Sequence, residues 1–215
     1  MTKRVFATIA SEALSMNIGK GYVYRLDGHV MSGCLFDSVP NVKGKFFCKL
    51  FVCLLTGAVD GVTLDLSENV KIPKILGKRT DIWGAEGQSQ HKKFASALRK
   101  RNVRQFFARN ASLQGIIDHT EQIVWPQFGD NQNAWHAAVL ADDPSCAIVY
   151  LSRMVERFRN AVPNEFVTEA SLQSKIQTHE QFIEMLEQGD SSLLRDELIN
   201  QSHGRMKLLG LVKES

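Results

Sequence analysis

The spacing of hydrophobic residues and of chain breaks changes partway along this chain, and the change strongly constrains its fold. Before residue 87, turn signals such as Asp27-Gly28 separate short segments with the character of β-strands. Beyond it, stretches poor in glycine and proline place apolar residues three and four positions apart, which is the repeat of an amphipathic helix. The sequence therefore predicts an α+β protein, with a basic mixed α/β unit over residues 1–87, a helical unit over residues 88–215 and a boundary near Glu86–Gln90.

The predicted first unit combines a short helix with several strands. Tyr22–Leu26 is a predicted strand that pairs with His29–Phe36 across the Asp27-Gly28 turn. Phe46–Leu55 is almost wholly apolar, and periodicity alone leaves a buried strand and a buried helix both open. The remaining predictions are a helix over Ala7–Met16, a strand over Val62–Leu66 and a basic loop or sheet edge over Val70–Thr80.

The predicted second unit is a bundle of amphipathic helices. Asp143-Pro144 is a helix start, with an acidic N-cap and proline in the first helical position. Gly189 ends one helix and Asp190 caps the next. The helical segments are His91–Asn110, Ser112–Val124, Gln132–Leu140, Pro144 to just before Pro163, Thr168–Gln188 and a last helix after Asp190.

Charge is divided unequally between the two parts of the chain. Residues 1–117 hold 18 Lys+Arg against 8 Asp+Glu, a net of +10, whereas residues 118–215 hold 8 against 15, a net of −7. Residues 87–117 contain no acidic residue. Because such a stretch attracts polyanions, nucleic acid is the expected partner. The seven cations of this stretch are the predicted contact residues: Lys92, Lys93, Arg99, Lys100, Arg101, Arg104 and Arg109.

A continuous helix over residues 91–109 would align these cations in rows. Lys93, Lys100 and Arg104 would share one row and Lys92 and Arg99 another. The rows would bracket aromatic residues available for base stacking, namely Phe94, Phe106 and Phe107. Binding of this kind is directed at phosphates and is largely independent of base sequence. The alternative is a solvated helix face whose charges pair with the acidic half, with the three phenylalanines in the core.

Three histidines form a second candidate site. His136, His179 and His203 fall on or near apolar helix faces, where facing helices could bring them together with a carboxylate such as Asp130. Imidazole and carboxylate groups are common ligands of divalent metals, so a metal site is the second hypothesis. Its alternative is that each histidine is an ordinary core or boundary residue.

Part of the helical half resembles a known sensory domain. Trp135–Leu140, Thr178–Asp190 and Ser202-His203 are similar to the FCD ligand-sensing domain of GntR-type transcriptional regulators, over about residues 130–203. The resemblance implies a metal held by three histidines and an aspartate, with a small carboxylate bound to it. His136, His179 and His203 match the histidine positions, whereas Gln132 stands where that family carries its aspartate.

A second resemblance concerns only the order of the two halves. A basic mixed front followed by an acidic helical bundle is similar to the compact large-subunit proteins of CRISPR surveillance complexes. Those proteins bind guide RNA and inspect target DNA. The resemblance implies a subunit of a ribonucleoprotein complex.

Recognisable catalytic and membrane signals are missing from the sequence. No G-x-S-x-G, H-E-x-x-H or Walker pattern occurs, so we expect a protein that is not an enzyme and needs no cofactor, with a divalent metal as the alternative. No apolar run reaches the roughly 18 residues of a membrane span. The apolar stretch Val5–Ala10 is too short for a signal peptide, and the four cysteines have no C-x-x-C spacing, so a cytoplasmic protein with reduced thiols is expected.

Three classes of function follow from these observations. The first is a nucleic-acid-binding protein, for RNA or DNA, whose acidic bundle contacts a protein partner or a neighbouring subunit, without a membrane. The second is a metal or small-carboxylate sensor of the FCD type. The third is a protein-interaction factor, such as an inhibitor.

Overall fold

The structure is a computed structural model, in which the chain forms two compact units. The prediction of an α+β protein is confirmed, because all the described strands lie at least mainly in the first unit and the second is helical. Unit 1 comprises Met1–Cys53 with Leu64–Ala111, and unit 2 comprises Leu54–Thr63 with Ser112–Ser215. The structure describes residues 2–56, 65–71, 82–84, 87–124 and 126–211.

Unit 1 is built on a six-stranded sheet. Its strands follow the order β1-β2-β3-β4-β5, and β6 also pairs with β4. The pairs β1–β2, β2–β3, β4–β5 and β4–β6 are antiparallel. The strands are β1 Asn17–Ile18, β2 Tyr22–Asp27, β3 Val30–Ser38, β4 Lys45–Leu54, β5 Leu66–Asn69 and β6 Ile82–Gly84.

The predicted hairpin is present between β2 and β3. Asp27 pairs with Val30, so that Gly28 and His29 form a two-residue turn. Gly28 has φ +55°, which glycine adopts without the steric penalty that other residues incur. The second strand therefore starts at Val30, one residue later than predicted, because the turn includes His29.

The apolar run that the sequence left open is the strand β4. It neighbours β3 on one side and β5 and β6 on the other, and every residue from Leu50 to Leu55 is buried. A strand covered on both faces needs no alternation of polar and apolar residues, which is why periodicity could not identify it. The predicted strand Val62–Leu66 falls mainly outside the described residues, and so does most of Val70–Thr80.

Two helices of unit 1 join the sheet through an aromatic core. Phe6, on α1 (Thr2–Leu14), lies with its ring centroid 4.8 Å from that of Phe46 on β4 and 5.0 Å from that of Phe94 on α2 (Gly87–Leu98). Trp83 lies 4.8 Å from Phe94, and both side chains are fully buried. The predicted boundary near Glu86–Gln90 is therefore wrong: α2 belongs to unit 1, because Phe94 completes its core.

The single helix predicted over His91–Asn110 is two helices in the structure. α2 ends at Leu98, and α3 (Arg101–Asn110) begins after Lys100, whose ψ of 153° is extended. Phe94 and Leu98 are buried on α2, and Val103 and Phe107 are buried on α3. In one straight helix these two pairs would be rotated apart by about 180°, so one face could not bury both. The break between α2 and α3 changes the direction of the chain, so that Val103 and Phe107 can also be buried.

Unit 2 contains five helices within the described residues. Start signals read from the sequence are confirmed at α6, where the Asp143 side chain accepts a hydrogen bond from the Cys146 amide and Pro144 follows. Gly189, at φ +80°, follows the end of α7, whereas Asp190 stands at the N-cap of α8 without a capping side-chain hydrogen bond. The helices are α4 Leu113–Gln122, α5 Phe128–Leu140, α6 Pro144–Arg159, α7 Glu169–Glu187 and α8 Ser191–Leu208.

Packing within unit 2 centres on α5. This helix contacts α4, α6 and α8, and α6 also packs against α7. α5 starts four residues earlier than predicted, because Gln127 and Asp130 form a reciprocal capping box at its N-terminus. Among the helices that the structure describes, none combines the length and apolar character needed to cross a membrane.

Candidate nucleic-acid interface and ligand cavity

The seven predicted cations are all exposed, and all belong to unit 1. Two lie on α2, two in the break between the helices and three on α3. We call this set the basic surface: Lys92, Lys93, Arg99, Lys100, Arg101, Arg104 and Arg109.

Three arginines of the basic surface lie on the solvent side of α3. Val103 and Phe107 are buried on this helix, whereas Arg101, Arg104 and Arg109 are exposed. At about 100° per residue the arginines fall within an arc of roughly 140° opposite the buried pair. The local fold therefore turns all three toward solvent.

Carboxylates do not neutralise the basic surface within the described part of the chain. The ion pairs there join Lys49 to Asp37, Arg153 to Glu121, Arg159 to Glu180 and Arg195 to Asp142. None of them involves the seven cations. The alternative that these charges pair individually with acidic side chains thus finds no support among the described residues.

Aromatic residues do not flank the cations as the continuous helix predicted. Phe94 is 0% exposed in the core of unit 1, and Phe107 is buried on α3. Phe106 is half-buried, with its ring edge-on to Phe107 at 5.4 Å. The prediction that these rings are available for base stacking is wrong for Phe94 and Phe107, because the helix break directs both inward. The rows Lys93-Lys100-Arg104 and Lys92-Arg99 are interrupted by the same break.

The division of charge follows the structural division of the chain. Unit 1 carries 18 Lys+Arg against 7 Asp+Glu, and unit 2 carries 8 against 16. The contrast is slightly sharper than in the sequence halves, because Asp60 belongs to unit 2. The basic surface thus lies on the strongly basic unit.

Unit 2 contains a cavity of about 600 Å³ among α5, α6, α7 and α8. Four aromatic side chains line it, namely Phe128, Trp135, Phe158 and Phe182. Its titratable lining residues are His136, Lys175, His179, Glu197 and Arg205. Two of the three predicted histidines are thereby brought to one cavity.

His136 is a buried neutral histidine at this cavity. Its side chain is 4% exposed, and Nδ1 lies 2.7 Å from the Oγ1 atom of Thr56, which also belongs to unit 2. Burial, with a smaller contribution from repulsion by His179, lowers the pKa of His136 to about 3. The ring therefore carries no charge near neutral pH.

The tautomer of His179 follows from its hydrogen bond. Nδ1 lies 2.7 Å from the backbone oxygen of Lys175. A carbonyl oxygen only accepts, so Nδ1 carries the proton and Nε2 of the neutral ring has a free lone pair. Burial lowers the pKa of His179 from its ordinary value. The hydrogen bond to the Lys175 carbonyl opposes this effect in part, and the positive charge of Lys175 adds a smaller lowering of the pKa.

The third histidine does not join the other two. His203 is exposed on α8 and does not line the cavity. The carboxylate of Asp130 accepts a hydrogen bond from the Gln127 amide at the start of α5. Over the described ranges, no group of three His, Cys, Asp or Glu side chains has the arrangement to hold a metal ion. The predicted four-ligand set is therefore not assembled among these residues, because its members point to different environments.

Arg205 is a cavity residue that the sequence reasoning missed. It is 3% exposed, and Nη1 donates hydrogen bonds to the carbonyl oxygens of Leu54 at 3.1 Å and Thr56 at 3.4 Å, both in unit 2. A signal was present in the sequence: Arg205 continues the apolar stripe of Leu194 and Leu198 on α8. A cation on the buried stripe of a helix indicates either a structural clamp or a binding group.

Comparisons of this chain with protein-family models, with curated proteins and with solved structures found no match.

Proposed function

We propose that this protein binds nucleic acid by contacting phosphates with the basic surface of unit 1. The observation that carries the proposal is the exposure of all seven cations, none of which forms an ion pair within the described part of the chain. Exposed lysines and arginines that are not neutralised within the protein displace counterions from a phosphate backbone, and this release supplies most of the affinity for nucleic acid.

The expected mode of binding is contact with the sugar–phosphate backbone. Arg101, Arg104 and Arg109 project from one side of α3 and would meet successive phosphates through bidentate guanidinium contacts. Because the neighbouring rings of Phe94 and Phe107 are buried, base stacking contributes little here. The proposal is therefore binding with weak sequence preference, to RNA or DNA.

The two units have different parts in this proposal. Unit 2, with 8 basic against 16 acidic residues, would repel a phosphate backbone. It is left for other contacts, and a protein partner or a neighbouring subunit of a nucleoprotein complex is the partner that we propose for it.

The test is a salt series with labelled single strands of about 20 nucleotides, both RNA and DNA, measured by fluorescence anisotropy. We expect affinity to fall steeply between about 50 and about 200 mM salt. The triple variant Arg101→Gln/Arg104→Gln/Arg109→Gln should lose affinity by about tenfold or more and lower the slope of log K against log salt by about 2.

A matched control separates a defined surface from total charge. Arg4, Lys20 and Arg25 are exposed cations of the same unit, and their triple glutamine variant removes the same charge away from α3. We expect this variant to bind within about threefold of wild type. Equal losses in both triple variants, or no binding at about 50 mM salt, would contradict the proposal.

A further inference from the structure

We infer that a cavity of unit 1 binds a phosphate monoester, the group that ends a nucleic-acid strand and that a free nucleotide also carries. Lys3, near the start of α1, and the loop that joins β3 to β4 line this cavity, whose volume is about 380 Å³. All of its lining residues belong to unit 1, and none belongs to the basic surface. The site is therefore distinct from the phosphate contacts proposed above.

Among the described residues, three lysines and no carboxylate line this cavity. The lysines are Lys3, Lys43 and Lys45, and none of them forms an ion pair within the described part of the chain. Asp37, which precedes the loop, is paired with Lys49 at 3.0 Å. Because like charges in one cavity repel each other, an anion bound among the lysines relieves that repulsion.

The loop that carries two of these lysines is held in place by its own backbone. The Val42 amide donates to the carbonyl oxygen of Val39 and the Lys45 amide to that of Val42, both at 3.3 Å, so two turns follow each other. Asn41, at φ +60°, and Gly44, at φ +77°, occupy the third positions of these turns, where a type II turn requires a positive φ. The Val39 amide donates to the Lys45 carbonyl oxygen at 3.1 Å and closes the loop. Binding of an anion therefore requires little ordering of the backbone.

Two of the lysine side chains are also held in place. Nζ of Lys3 donates a hydrogen bond to the carbonyl oxygen of Phe36 at 3.0 Å. This bond uses one of the three N–H groups of the ammonium, and the carbonyl has no net charge, so the positive charge remains at the cavity. Lys45 pairs with Gly84 on β6, and a Cβ atom at position 84 would lie 3.5–3.7 Å from carbons of the Lys45 side chain. The Lys45 side chain therefore lies along that strand.

These features match a phosphate monoester. Such a group carries a charge of about −1.5 to −2 near neutral pH and three oxygens that accept strong hydrogen bonds. Three ammonium groups with rotatable donors can each meet a different oxygen. Ser38 and Asn41 supply a hydroxyl and an amide as further donors at the lining. A volume of about 380 Å³ lies within the usual range for small-molecule sites and leaves room for the attached sugar.

The cavity shares its core with the helix α2, which favours the end of a strand as the source of the phosphate. Phe46 is a lining residue and is fully buried, with its ring centroid 6.4 Å from that of Phe94 on α2. The same helix carries Lys92 and Lys93 of the basic surface. We therefore expect a strand bound at the basic surface to place its terminal phosphate in the cavity. This choice of source rests on the proposed function, whereas the phosphate site itself does not.

Fluorescence anisotropy of the full chain with matched strands measures the effect of a terminal phosphate. The probes are internally labelled single strands of about 20 nucleotides that end in a 5′-phosphate, in a 3′-phosphate or in hydroxyl groups only. We expect a phosphate at one of the two ends to raise affinity by about threefold to tenfold. This gain should disappear in Lys43→Gln/Lys45→Gln, which still binds the strand with hydroxyl ends. A gain that persists unchanged in this variant would place the terminal phosphate elsewhere and overturn the site.

A matched variant separates the cavity from total charge. Lys20→Gln/Arg25→Gln removes the same charge from exposed positions of unit 1 that do not line the cavity. It should weaken all three strands about equally and so keep the gain. Lys43 and Lys45 are exposed as well, so both double variants are expected to fold. Loss of the gain in both of them would mean that only total charge matters and would overturn the inference.

Calorimetric titration with adenosine 5′-monophosphate, and with adenosine as its uncharged counterpart, tests the site without a strand. We expect the nucleotide to bind about tenfold or more tightly than adenosine, and Lys43→Gln/Lys45→Gln to lose this difference. Nucleotide binding without a gain in the strand assay would support the site and assign a free nucleotide as its source. Absence of all strand binding would contradict the proposed function alone, and the nucleotide titration would then decide this inference. Equal affinities for the nucleotide and adenosine, together with no gain from either terminal phosphate, would overturn it.

Discussion

Single residues in this protein show their roles through burial and close approach. His136 is buried as a neutral imidazole because Thr56 satisfies one of its nitrogens and the surroundings penalise charge. Gly33 is buried on β3 opposite Tyr24, where a Cβ atom would lie 1.9 Å from the backbone oxygen of Val23. A substitution at either residue is therefore expected to change the free energy of unfolding in a specific way.

The buried His136 should make the protein less stable as the pH falls. In the unfolded chain the pKa of His136 returns toward 6.5. Between about pH 6 and pH 4 the ring is therefore protonated in the unfolded state but neutral in the folded state, so unfolding is coupled to uptake of a proton. The free energy of unfolding should fall by about 1.4 kcal/mol per pH unit through this group. Urea unfolding over this range should show a shallower pH dependence for His136→Gln than for wild type. Parallel pH profiles would contradict the prediction.

Gly33→Ala should destabilise unit 1 strongly. The new methyl group overlaps a backbone oxygen that cannot rotate away, so β2 and β3 must separate locally, at a cost of more than about 3 kcal/mol. Gly84→Ala is the control, because a Cβ atom there meets only Lys45 side-chain carbons, the nearest at 3.5 Å. Urea unfolding of both variants measures the difference. Similar losses in the free energy of unfolding for the two variants would contradict the prediction, since they would mean that the backbone accommodates the new methyl group at little cost.

At the scale of elements, the position of breaks decides which faces are buried. The extended Lys100 separates α2 from α3, so that Leu98 and Val103 are both buried although they would lie about 140° apart on one helix. The same break leaves the cations exposed on both helices. Unlike the extended Lys100, Gly204 does not interrupt its helix: it lies within α8 at an exposed position.

Gly204→Ala should stabilise α8. Alanine restricts the unfolded backbone and has a higher helix propensity, while the added Cβ atom meets open space. The expected gain in the free energy of unfolding is about 0.5–1 kcal/mol, measured by thermal and urea unfolding. Gly189→Ala is the contrasting control, because Gly189 has φ +80° and alanine is strained there. A loss of stability in Gly204→Ala would indicate that the glycine has a role in packing.

At the scale of the whole molecule, the basic surface is part of the sheet-containing unit. Phe94 packs α2, which carries part of the basic surface, against Phe6, Phe46 and Trp83 in the core of unit 1. The boundary between the units therefore lies after Ala111 rather than near residue 87. The charge contrast between the units then coincides with their division. The nucleic-acid binding that we propose is therefore assigned to unit 1 as a folded body.

Phe94→Ala should destabilise unit 1 by about 3–5 kcal/mol, since a fully buried ring leaves a cavity among other aromatic side chains. Phe106→Ala, on a half-buried ring of the neighbouring helix, is the matched control and should cost clearly less. Urea unfolding gives both values. Equal costs would contradict the assignment of α2 to the core of unit 1.

Local signals in the sequence located most of the described elements. Asp143-Pro144 and Gly189 gave correct helix boundaries, because caps and left-handed turns depend on neighbouring residues. The hairpin at Asp27-Gly28 was predictable for the same reason. The helix break at Lys100 was not, since it depends on which faces the rest of unit 1 covers.

The sequence by itself determined the α+β class, the basic character of the first half and the identity of the seven exposed cations, because charge and local periodicity are properties of neighbouring residues. The tertiary structure alone decided that β4 is a strand, that Phe94 lies in the core, and that His136 and His179 share a cavity with Arg205 while His203 does not. These outcomes depend on contacts between residues far apart in the chain, and local patterns carry no record of which distant surfaces will meet.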